Sequence, residues 1–365
     1  MSKLKVIISG GGTGGHIFPA IAIANALKDM DQSIDIMFVG AKGKMEMEKV
    51  PKAGYQIIGL PIVGLQRSFT KLSNLLFPFK LLFSLVKAYF IIKKFQPDVV
   101  VGTGGYASGP LIYSASKLGV PSLIQEQNSF PGITNKLLSK LSQKICVAYE
   151  KMDRFFPNEK IVFSGNPIRQ DLYDLEKLKD KAYHHFGLEV DKLTILIVGG
   201  SLGALTINKS VYNYVEDLSE NIQIIWQTGK SFLEIGRNKE QNNVKVLPFI
   251  SRMDYAYSIA DVVVSRAGAS TISELCLVAK PSVLIPSPNV AEDHQTKNAM
   301  ALISKNAALM LKDKDAKEEL PKVLNSLIND SELRKKLSQN IQELAKINSA
   351  AVIANEVISL VNKNE

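Results

Sequence analysis

The feature that most constrains the fold is a pattern of strand, glycine loop and helix that occurs twice along this chain of 365 residues. Residues 3–9 and 193–198 are short β-branched runs that end in glycines, and each leads into a segment with helical periodicity. Each half also contains an Asp-Val-Val-Val strand, at 98–101 and at 261–264, followed by another glycine-bearing loop. Buried strands that alternate with helices are typical of parallel sheets. The sequence therefore predicts an α/β fold of two Rossmann-like domains that face a cleft.

The predicted domain boundary lies at residues 163–169, where a Gly-Asn-Pro triplet interrupts the alternation. This boundary gives an N-terminal domain at 1–163 and a C-terminal domain at 164–340. The end of the chain is rich in Lys, Glu and Leu with helical periodicity. We expect residues 341–365 to form a final helix.

Composition restricts the partners that this chain can have. The formal net charge of +9 favours an anionic partner, which can be a phosphorylated ligand, a membrane surface or nucleic acid. Aromatic-rich RNA-binding signatures and long Lys/Arg runs are absent from the sequence, so we expect no nucleic acid partner. Cys146 and Cys276 stand far apart, which predicts reduced thiols and no metal or disulfide framework. The first residues enter a strand-like segment directly, so we expect no signal peptide.

Two loops of the first half are suited to an anion. Residues 10–15 match the G-x-G-x-x-G pattern between a strand and a helix, where main-chain N–H groups and the helix N-terminus favour negative charge. Residues 102–110 form a similar loop, and together they favour a phosphate or pyrophosphate ligand. One alternative is that both loops are tight turns that require glycine. The other is a dinucleotide site, but that site usually has an acidic residue after the second strand, and residues 38–41 contain none.

In the second half, the most informative segment is residues 265–274. Its small residues follow a strand and permit close approach of the backbone to a ligand, and Glu274 is placed to accept hydrogen bonds from a ribose diol. The alternative is that Glu274 only complements the helix dipole. Asp29 and Asp31 resemble a D-x-D metal motif, but they end a helical pattern, so a solvated helix terminus and no metal site are expected.

These motifs, in this order, resemble those of the MurG family of glycosyltransferases. The matching segments span nearly the whole chain: residues 12–20, 102–106, 126–132, 165–169, 199–204, 266–274 and 294–299. The resemblance implies the GT-B architecture, with the final helix crossing back to the first domain. It implies inverting transfer of N-acetylglucosamine from UDP-N-acetylglucosamine to the 4-hydroxyl of the MurNAc unit of lipid I, which forms lipid II for peptidoglycan synthesis.

The resemblance also implies a setting for this reaction. No cofactor and no metal are expected. The N-terminal domain is expected to bind the lipid-linked acceptor, and the C-terminal domain to bind the donor. The expected location is peripheral, at the cytoplasmic face of the bacterial inner membrane, with other cell-wall synthesis proteins as candidate partners.

The residues implied for donor binding are Thr13, Gly14, Gly15, Asn128, Arg169, Ser201, Ile250, Ala269, Ser270, Thr271, Glu274 and Gln295. Ser201 and Arg169 can donate to diphosphate oxygens, and main-chain groups of Ile250 are expected to face uracil. The amides of Asn128 and Gln295 suit sugar hydroxyls and the acetamido group. An interdomain salt bridge at a hinge explains Arg169 almost as well. The acceptor pyrophosphate is expected at Gly14, Gly15, Gly104, Gly105 and Tyr106.

His16 is the candidate catalytic residue, because it ends the first glycine loop and an imidazole can be neutral near physiological pH. The implied reaction, from an α-linked donor to a β-linked product, needs a base for the acceptor hydroxyl and stabilisation of the leaving UDP. The alternative is that His16 only hydrogen-bonds its own loop at the start of a helix.

Residues 67–94 combine apolar side chains with lysines at every seventh position. The lysines and Pro78 interrupt the apolar run, so a membrane span is not expected. One interpretation is a helix that packs its apolar face on the sheet. The sharper hypothesis is that this face rests on anionic lipid. The predicted membrane contacts are Leu75, Leu76, Phe79, Lys80, Phe83 and Lys87.

Two other functions remain compatible with the pattern. Another two-domain UDP-N-acetylglucosamine enzyme, such as a 2-epimerase or a glycolipid transferase, would consume the donor without lipid I or with a different acceptor. A regulator that binds a sugar nucleotide would form no product with any acceptor, and it leaves the lysine-striped helix unexplained.

Overall fold

The computed structural model describes residues 3–64 and 77–362, and it divides the chain into two compact units. The first unit comprises Met1–Ile168 together with Ile347–Glu365, and the second comprises Arg169–Lys346. The division therefore falls after Ile168 rather than after Phe163.

The first unit is built on a parallel sheet of seven strands in the order β3-β2-β1-β4-β5-β6-β7. The strands are β1 (Lys5–Ser9), β2 (Asp35–Ala41), β3 (Gln56–Leu60), β4 (Val99–Gly102), β5 (Ser122–Glu126), β6 (Lys144–Val147) and β7 (Ile161–Phe163). The helices are α1 (Gly14–Met30), α2 (Glu46–Lys52), α3 (Phe77–Phe95), α4 (Ser108–Lys117) and α5 (Ile133–Leu138). Because β1 pairs with β2 on one side and with β4 on the other, the strand order reverses at β1. In open α/β sheets, ligands bind at this switch point, beyond the carboxyl ends of the strands.

The second unit repeats this arrangement with a parallel sheet of six strands in the order β10-β9-β8-β11-β12-β13. The strands are β8 (Leu193–Val198), β9 (Ile222–Gln227), β10 (Val244–Leu247), β11 (Val262–Ser265), β12 (Ser282–Leu284) and β13 (Leu309–Met310). The helices are α6 (Lys179–Phe186), α7 (Leu205–Tyr214), α8 (Leu233–Arg237), α9 (Met253–Ile259), α10 (Ala269–Val278), α11 (His294–Ile303), α12 (Ala316–Asn329) and α13 (Ser331–Gln342). Its strand order reverses at β8, next to β11.

Each sheet is buried between helices, which explains its continuous apolar strands. In β1, Val6, Ile7 and Ile8 are fully buried, with the side chains of successive residues on opposite faces. One face of the first sheet packs against α1, and the other packs against α3 and α4.

The last helix, α14 (Ser349–Asn362), packs against α1 and completes one face of the first sheet. Ile353 and Val357 of α14 are fully buried in this cluster. The helix begins at Ser349 rather than at residue 341, because residues 341 and 342 end α13.

The predicted α/β class with two parallel, doubly wound sheets is confirmed. Beyond the runs at 3–9, 98–101, 193–198 and 261–264, the sequence also predicts the strands β2, β5, β6, β9 and β10. It does not predict the strands β3, β7, β12 and β13. They lie at or next to the edges of the sheets, and three of them contain residues that are only partly buried.

Candidate active site

The two glycine loops of the first unit are in direct contact, because β1 and β4 are neighbouring parallel strands. A Cβ atom at Gly105 would lie 2.2 Å from the carbonyl oxygen of Gly11, so only glycine permits this approach. The Thr103 hydroxyl donates to the carbonyl oxygen of His16 at 2.7 Å and joins the second loop to α1. The two loops that the sequence suggested as anion sites therefore form a single surface.

His16 lies in the first turn of α1 and is half-buried. Its Nδ1 lies 3.0 Å from the carbonyl oxygen of Thr103 and 2.9 Å from Oε1 of Gln127. A carbonyl oxygen can only accept, so Nδ1 carries the proton of the neutral ring. The Nε2 lone pair is then the basic position of the imidazole. His16 is hydrogen-bonded to its neighbours, which agrees with the interpretation that it has a structural role at the start of the helix. The same hydrogen bonds leave Nε2 as the basic atom.

Thr13, Gly14 and Gly15 surround the N-terminus of α1. Thr13 is the N-cap in an extended conformation, and the two glycines are the first helical residues. Main-chain N–H groups of a first turn have no partner within the helix and favour an anion. Gly104 lies behind His16, where a Cβ atom would be 2.8 Å from Nδ1. The structure thus brings His16 together with Gly14, Gly15, Gly104 and Gly105, and Tyr106 lies against Gly12 of the first glycine loop.

Glu46, the first residue of α2, is a buried residue beneath the first glycine loop that sequence reasoning missed. Its carboxylate accepts from the Gly12 N–H at 3.1 Å and from the Ala41 N–H at 2.9 Å. Residues 38–41 contain no carboxylate, yet α2 places one at the tip of β2. Burial, and then the charge of Glu46, raise the pKa of the Tyr106 phenol. Because Glu46 has no exposed surface, it supports the loop rather than offering a ribose contact.

Asn128 follows β5 and is held by a buried carboxylate. Oε1 of Glu126 accepts from the Asn128 main-chain N–H at 3.0 Å and from its Nδ2 at 3.1 Å. Oε2 of the same residue accepts from the Gly132 N–H and from Asn135 Nδ2. Glu126 therefore organises the loop of residues 127–132.

In the second unit, the loop after β8 resembles the loop after β1. Ser201 and Leu202 are exposed at its tip, and the Gly203 N–H donates to the Gly200 carbonyl at 2.9 Å. A Cβ atom at Gly203 would lie 2.0 Å from the carbonyl oxygen of Thr228, so this glycine anchors the loop on the neighbouring strand end. Ser201 is thus accessible on a loop whose base is fixed.

Ile250 follows β10, and its side chain is buried. Its main-chain N–H donates to Oε1 of Gln227 at 2.8 Å. The sequence interpretation offered both main-chain groups of Ile250 to uracil. The structure engages the N–H within the protein, so a contact with a base would fall to the carbonyl.

Glu274 and Arg169 form an ion pair, which the sequence did not predict. Nε of Arg169 lies 3.3 Å from Oε1 of Glu274, and the Tyr257 hydroxyl donates to Oε2 at 3.1 Å. Burial raises the pKa of the Glu274 carboxyl, and Arg169 opposes that rise. Burial also raises the pKa of Tyr257 well above its usual value. Arg169 and Glu274 belong to the same unit, so the ion pair is not the interdomain salt bridge of the alternative interpretation.

Ala269, Ser270 and Thr271 form the first turn of α10, after the N-cap Gly268. This turn offers main-chain N–H groups, and the Ser270 hydroxyl is buried without a hydrogen-bond partner. Gln295 lies in the first turn of α11, where its Oε1 accepts from the Ser287 N–H at 2.8 Å. Its amide nitrogen is therefore the group it can offer to a sugar.

The helix α3 turns its predicted apolar face away from the sheet. Ser84, Ala88, Ile91 and Ile92 are its buried residues, whereas Phe79 is 63% and Phe83 is 68% exposed. The interpretation that this apolar face packs on the sheet is therefore wrong for these two phenylalanines. Lys80 is half-buried, and exposed Lys87 donates to the Gly59 carbonyl at 2.8 Å. Leu75 and Leu76 lie outside the described residues.

Asp29 and Asp31 lie at the end of α1, where Asp31 is the C-cap and accepts from Ser33. Among residues 3–64 and 77–362, no group of three or more His, Cys, Asp or Glu side chains is arranged to hold a metal ion. No helix within those ranges is long and apolar enough to cross a membrane.

Two doubly wound units, each with a glycine loop and a helix N-terminus at the carboxyl ends of its strands, form the architecture of the GT-B class, which includes glycosyltransferases such as MurG. Residues 6–147 match the glycosyltransferase family 28 N-terminal domain, and residues 194–357 match the C-terminal domain of that family. The chain belongs to glycosyltransferase family 28 and, within it, to the MurG family.

Two similar proteins support this assignment, and a third shares the fold. A Flavobacterium psychrophilum protein, the UDP-N-acetylglucosamine–N-acetylmuramyl-(pentapeptide) pyrophosphoryl-undecaprenol N-acetylglucosamine transferase, is 54% identical over 100% of both chains. The crystal structure of Acinetobacter baumannii MurG is 29% identical, with a TM-score of 0.79 over 98% of this chain and 99% of that one. A UDP-GlcNAc 2-epimerase from Neisseria meningitidis, bound to UDP-GlcNAc, has a TM-score of 0.68 over 98% and 100% of the two chains, at 14% identity. The last likeness shows the fold alone.

Proposed function

We propose that this protein transfers N-acetylglucosamine from UDP-N-acetylglucosamine to the 4-hydroxyl of the MurNAc unit of lipid I and so forms lipid II. The observation that carries the proposal is the 54% identity, over 100% of both chains, to a transferase named for this donor and acceptor. The two glycine-loop surfaces supply the anion-binding groups that two pyrophosphate-bearing substrates need.

The second unit is the proposed donor domain. Ser201 and the first turn of α10, which carries Ala269, Ser270 and Thr271, are suited to the diphosphate. Glu274 is suited to the ribose diol, because Tyr257 and Arg169 hold its carboxylate in place. The ion pair with Glu274 holds the Arg169 side chain in the proposed nucleotide site. The carbonyl of Ile250 is suited to uracil, and Gln295 to the sugar. Thr13, Gly14, Gly15 and Asn128 of the first unit remain proposed donor contacts on the resemblance alone.

The first unit is the proposed acceptor domain, with the pyrophosphate of lipid I at Gly14, Gly15, Gly104, Gly105 and Tyr106. His16 accepts the proton of the acceptor 4-hydroxyl on Nε2, while Thr103 and Gln127 hold Nδ1–H. The hydroxyl oxygen forms a bond to C1 of N-acetylglucosamine, and the bond from C1 to the β-phosphate oxygen breaks. The electron pair leaves with UDP, and configuration at C1 inverts. Main-chain amides of the second unit stabilise the leaving diphosphate.

The decisive experiment incubates the full chain with labelled UDP-N-acetylglucosamine and a short-chain lipid I analogue. We expect label in the lipid phase only when the analogue is present. Loss of donor without any lipid I would favour the 2-epimerase alternative, and donor binding without any product would favour the regulator.

The membrane contact is a further part of the proposal. Phe79 and Phe83 expose apolar surface on α3 beside Lys80 and Lys87, a combination that suits the interface of an anionic bilayer. We expect the protein to float with anionic vesicles at low salt and the double variant Phe79→Ser/Phe83→Ser to remain in solution. Val190→Ser is the control, because it removes an exposed apolar side chain from the second unit. If the wild type and the double variant float equally well, Phe79 and Phe83 do not form the membrane contact.

A further inference from the structure

Gln227 is the last residue of β9, the strand that lies between β8 and β10. In the register of the sheet it pairs with Val198 on one side and with Leu247 on the other, so three strands end in line. Its side chain is buried, at 3% exposure. The residue is therefore flanked by the loops that follow both neighbouring strands.

The Gln227 amide bridges these two loops. Its Nε2 donates to the Gly200 carbonyl at 2.9 Å, and its Oε1 accepts from the Ile250 N–H at 2.8 Å. A primary amide offers a donor and an acceptor on a rigid plane, so one side chain satisfies a carbonyl on one loop and an N–H on the other. The backbone of the glycine loop and the backbone at Ile250 are thereby held at a set separation.

The bridge fixes one peptide group in each loop. The Gly200 carbonyl accepts from Gln227 and from the Gly203 N–H, and the peptide that follows it leads directly to Ser201. On the other side, the bond to the Ile250 N–H orients the peptide plane between Phe249 and Ile250. Without the amide, the buried N–H of Ile250 would lose its partner, which is costly in a protein interior.

We propose that Gln227 is a positioning residue that couples the nucleobase and diphosphate parts of the donor site, so that a uridine diphosphate is held at both ends. The inference rests on the proposed function, because Ser201 and Ile250 are the groups assigned to the two ends of the nucleotide. Gln227 is buried beneath both loops and acts through them. Its loss lets the two ends of the site move independently, so a ligand that spans both ends loses more affinity than uridine, which reaches one.

The chain offers a closely matched control on the same strand. Gln223 lies at the amino end of β9, is 1% exposed, and also bridges other groups with its amide. Its Nε2 donates to the Glu189 carbonyl at 2.7 Å, and its Oε1 accepts from the Glu189 N–H at 3.0 Å. Gln223→Met and Gln227→Met therefore remove the same chemistry from opposite ends of one strand.

The test measures UDP and uridine binding to the full chain by titration calorimetry, with thermal midpoints for every variant. We expect both Met variants to lower the midpoint, because each leaves buried polar groups unpaired. Of these two variants, only Gln227→Met should weaken UDP binding by about tenfold or more, and it should weaken uridine binding less. Gln227→Glu, which retains the acceptor for Ile250 but cannot donate to Gly200, should also weaken UDP binding and provides a second variant if the first does not fold.

Two results would overturn the inference. The first is UDP affinity in Gln227→Met and Gln227→Glu equal to that of the wild type. The second is an equal loss of affinity in Gln223→Met. If the wild type itself does not bind UDP, the proposed donor site fails, and the inference fails with it. If the wild type binds UDP normally and either of these two results is found, the role of Gln227 is refuted but the proposed donor site is not.

Discussion

Replacement of His16 by alanine tests the catalytic step most directly. The side chain is half-buried and makes its two hydrogen bonds through Nδ1. After its removal, the Thr103 carbonyl still accepts from Gln127 Nε2 at 2.7 Å, whereas the buried Oε1 of Gln127 loses the Nδ1–H donor. The cost to folding is therefore about 1–3 kcal/mol, that of a buried acceptor without its partner. What the variant loses is the basic Nε2.

A positioned general base contributes roughly 10²–10⁴-fold to the rate. We therefore expect His16→Ala to lower kcat by that factor, which corresponds to about 3–5 kcal/mol of transition-state stabilisation. The KM for the donor should change little, because the proposed donor groups of the second unit are intact. The assay follows label transfer to a lipid I analogue at saturating acceptor, with the donor concentration varied.

His184→Ala is the matched control, because it removes a histidine from α6 of the second unit. It should transfer label at the wild-type rate. Near-normal kcat in His16→Ala would refute the base assignment. A rise in the KM for the donor without a fall in kcat would instead make His16 a donor-binding residue.

Three further predictions concern the second unit and the leaving group. Burial raises the pKa of Glu274 in the folded protein, so its carboxylate costs stability as pH rises from the unfolded value of about 4.3 through the folded one. Thermal unfolding of Glu274→Gln should show a higher midpoint than the wild type at neutral pH and no difference near pH 3.5; the opposite order would show that the pair with Arg169 outweighs burial. Tyr257→Phe removes a hydrogen bond to this carboxylate, worth about 1.5–3 kcal/mol, and should weaken UDP binding by about tenfold in calorimetric titration; unchanged affinity would contradict the positioning of Glu274. Label transfer should continue in excess EDTA, because main-chain amides are expected to stabilise the leaving diphosphate; a loss that added Mg²⁺ reverses would contradict this expectation.

The parts of the fold that could be predicted are those whose sequence signal is local. The cores of β1 and β8 are β-branched runs buried on both faces, and glycine loops follow each. A strand that is buried on both faces needs apolar residues at nearly every position. Such a strand can therefore be recognised without knowing which strands lie beside it. By contrast, β13 contains two residues that are only partly buried, and its existence depends on pairing with β12.

The parts of the site that could not be predicted depend on contacts between distant residues. The glycine loops can be recognised in the sequence as candidate anion sites, because the backbone conformation of such loops requires glycine. The ion pair of Arg169 with Glu274, however, joins residues far apart in the chain, and neither side chain indicates the other. The orientation of α3 is another example, because the small residues Ser84 and Ala88 face the interior, whereas Phe79 and Phe83 do not. From hydrophobicity alone, the face with the phenylalanines would be expected to pack on the sheet and the face with Ser84 and Ala88 to be exposed.

The buried carboxylate of Glu46 has a consequence for which molecules can compete for the first unit. A Rossmann loop with open amides attracts any abundant phosphate-bearing metabolite, whereas this loop already satisfies its Gly12 amide with an anion that belongs to the chain. A tethered group cannot be displaced by mass action, and its charge repels a second anion from the same position. A free dinucleotide therefore finds no open amide at Gly12, whereas the N–H groups of Gly14 and Gly15, at the start of α1, have no partner within the helix.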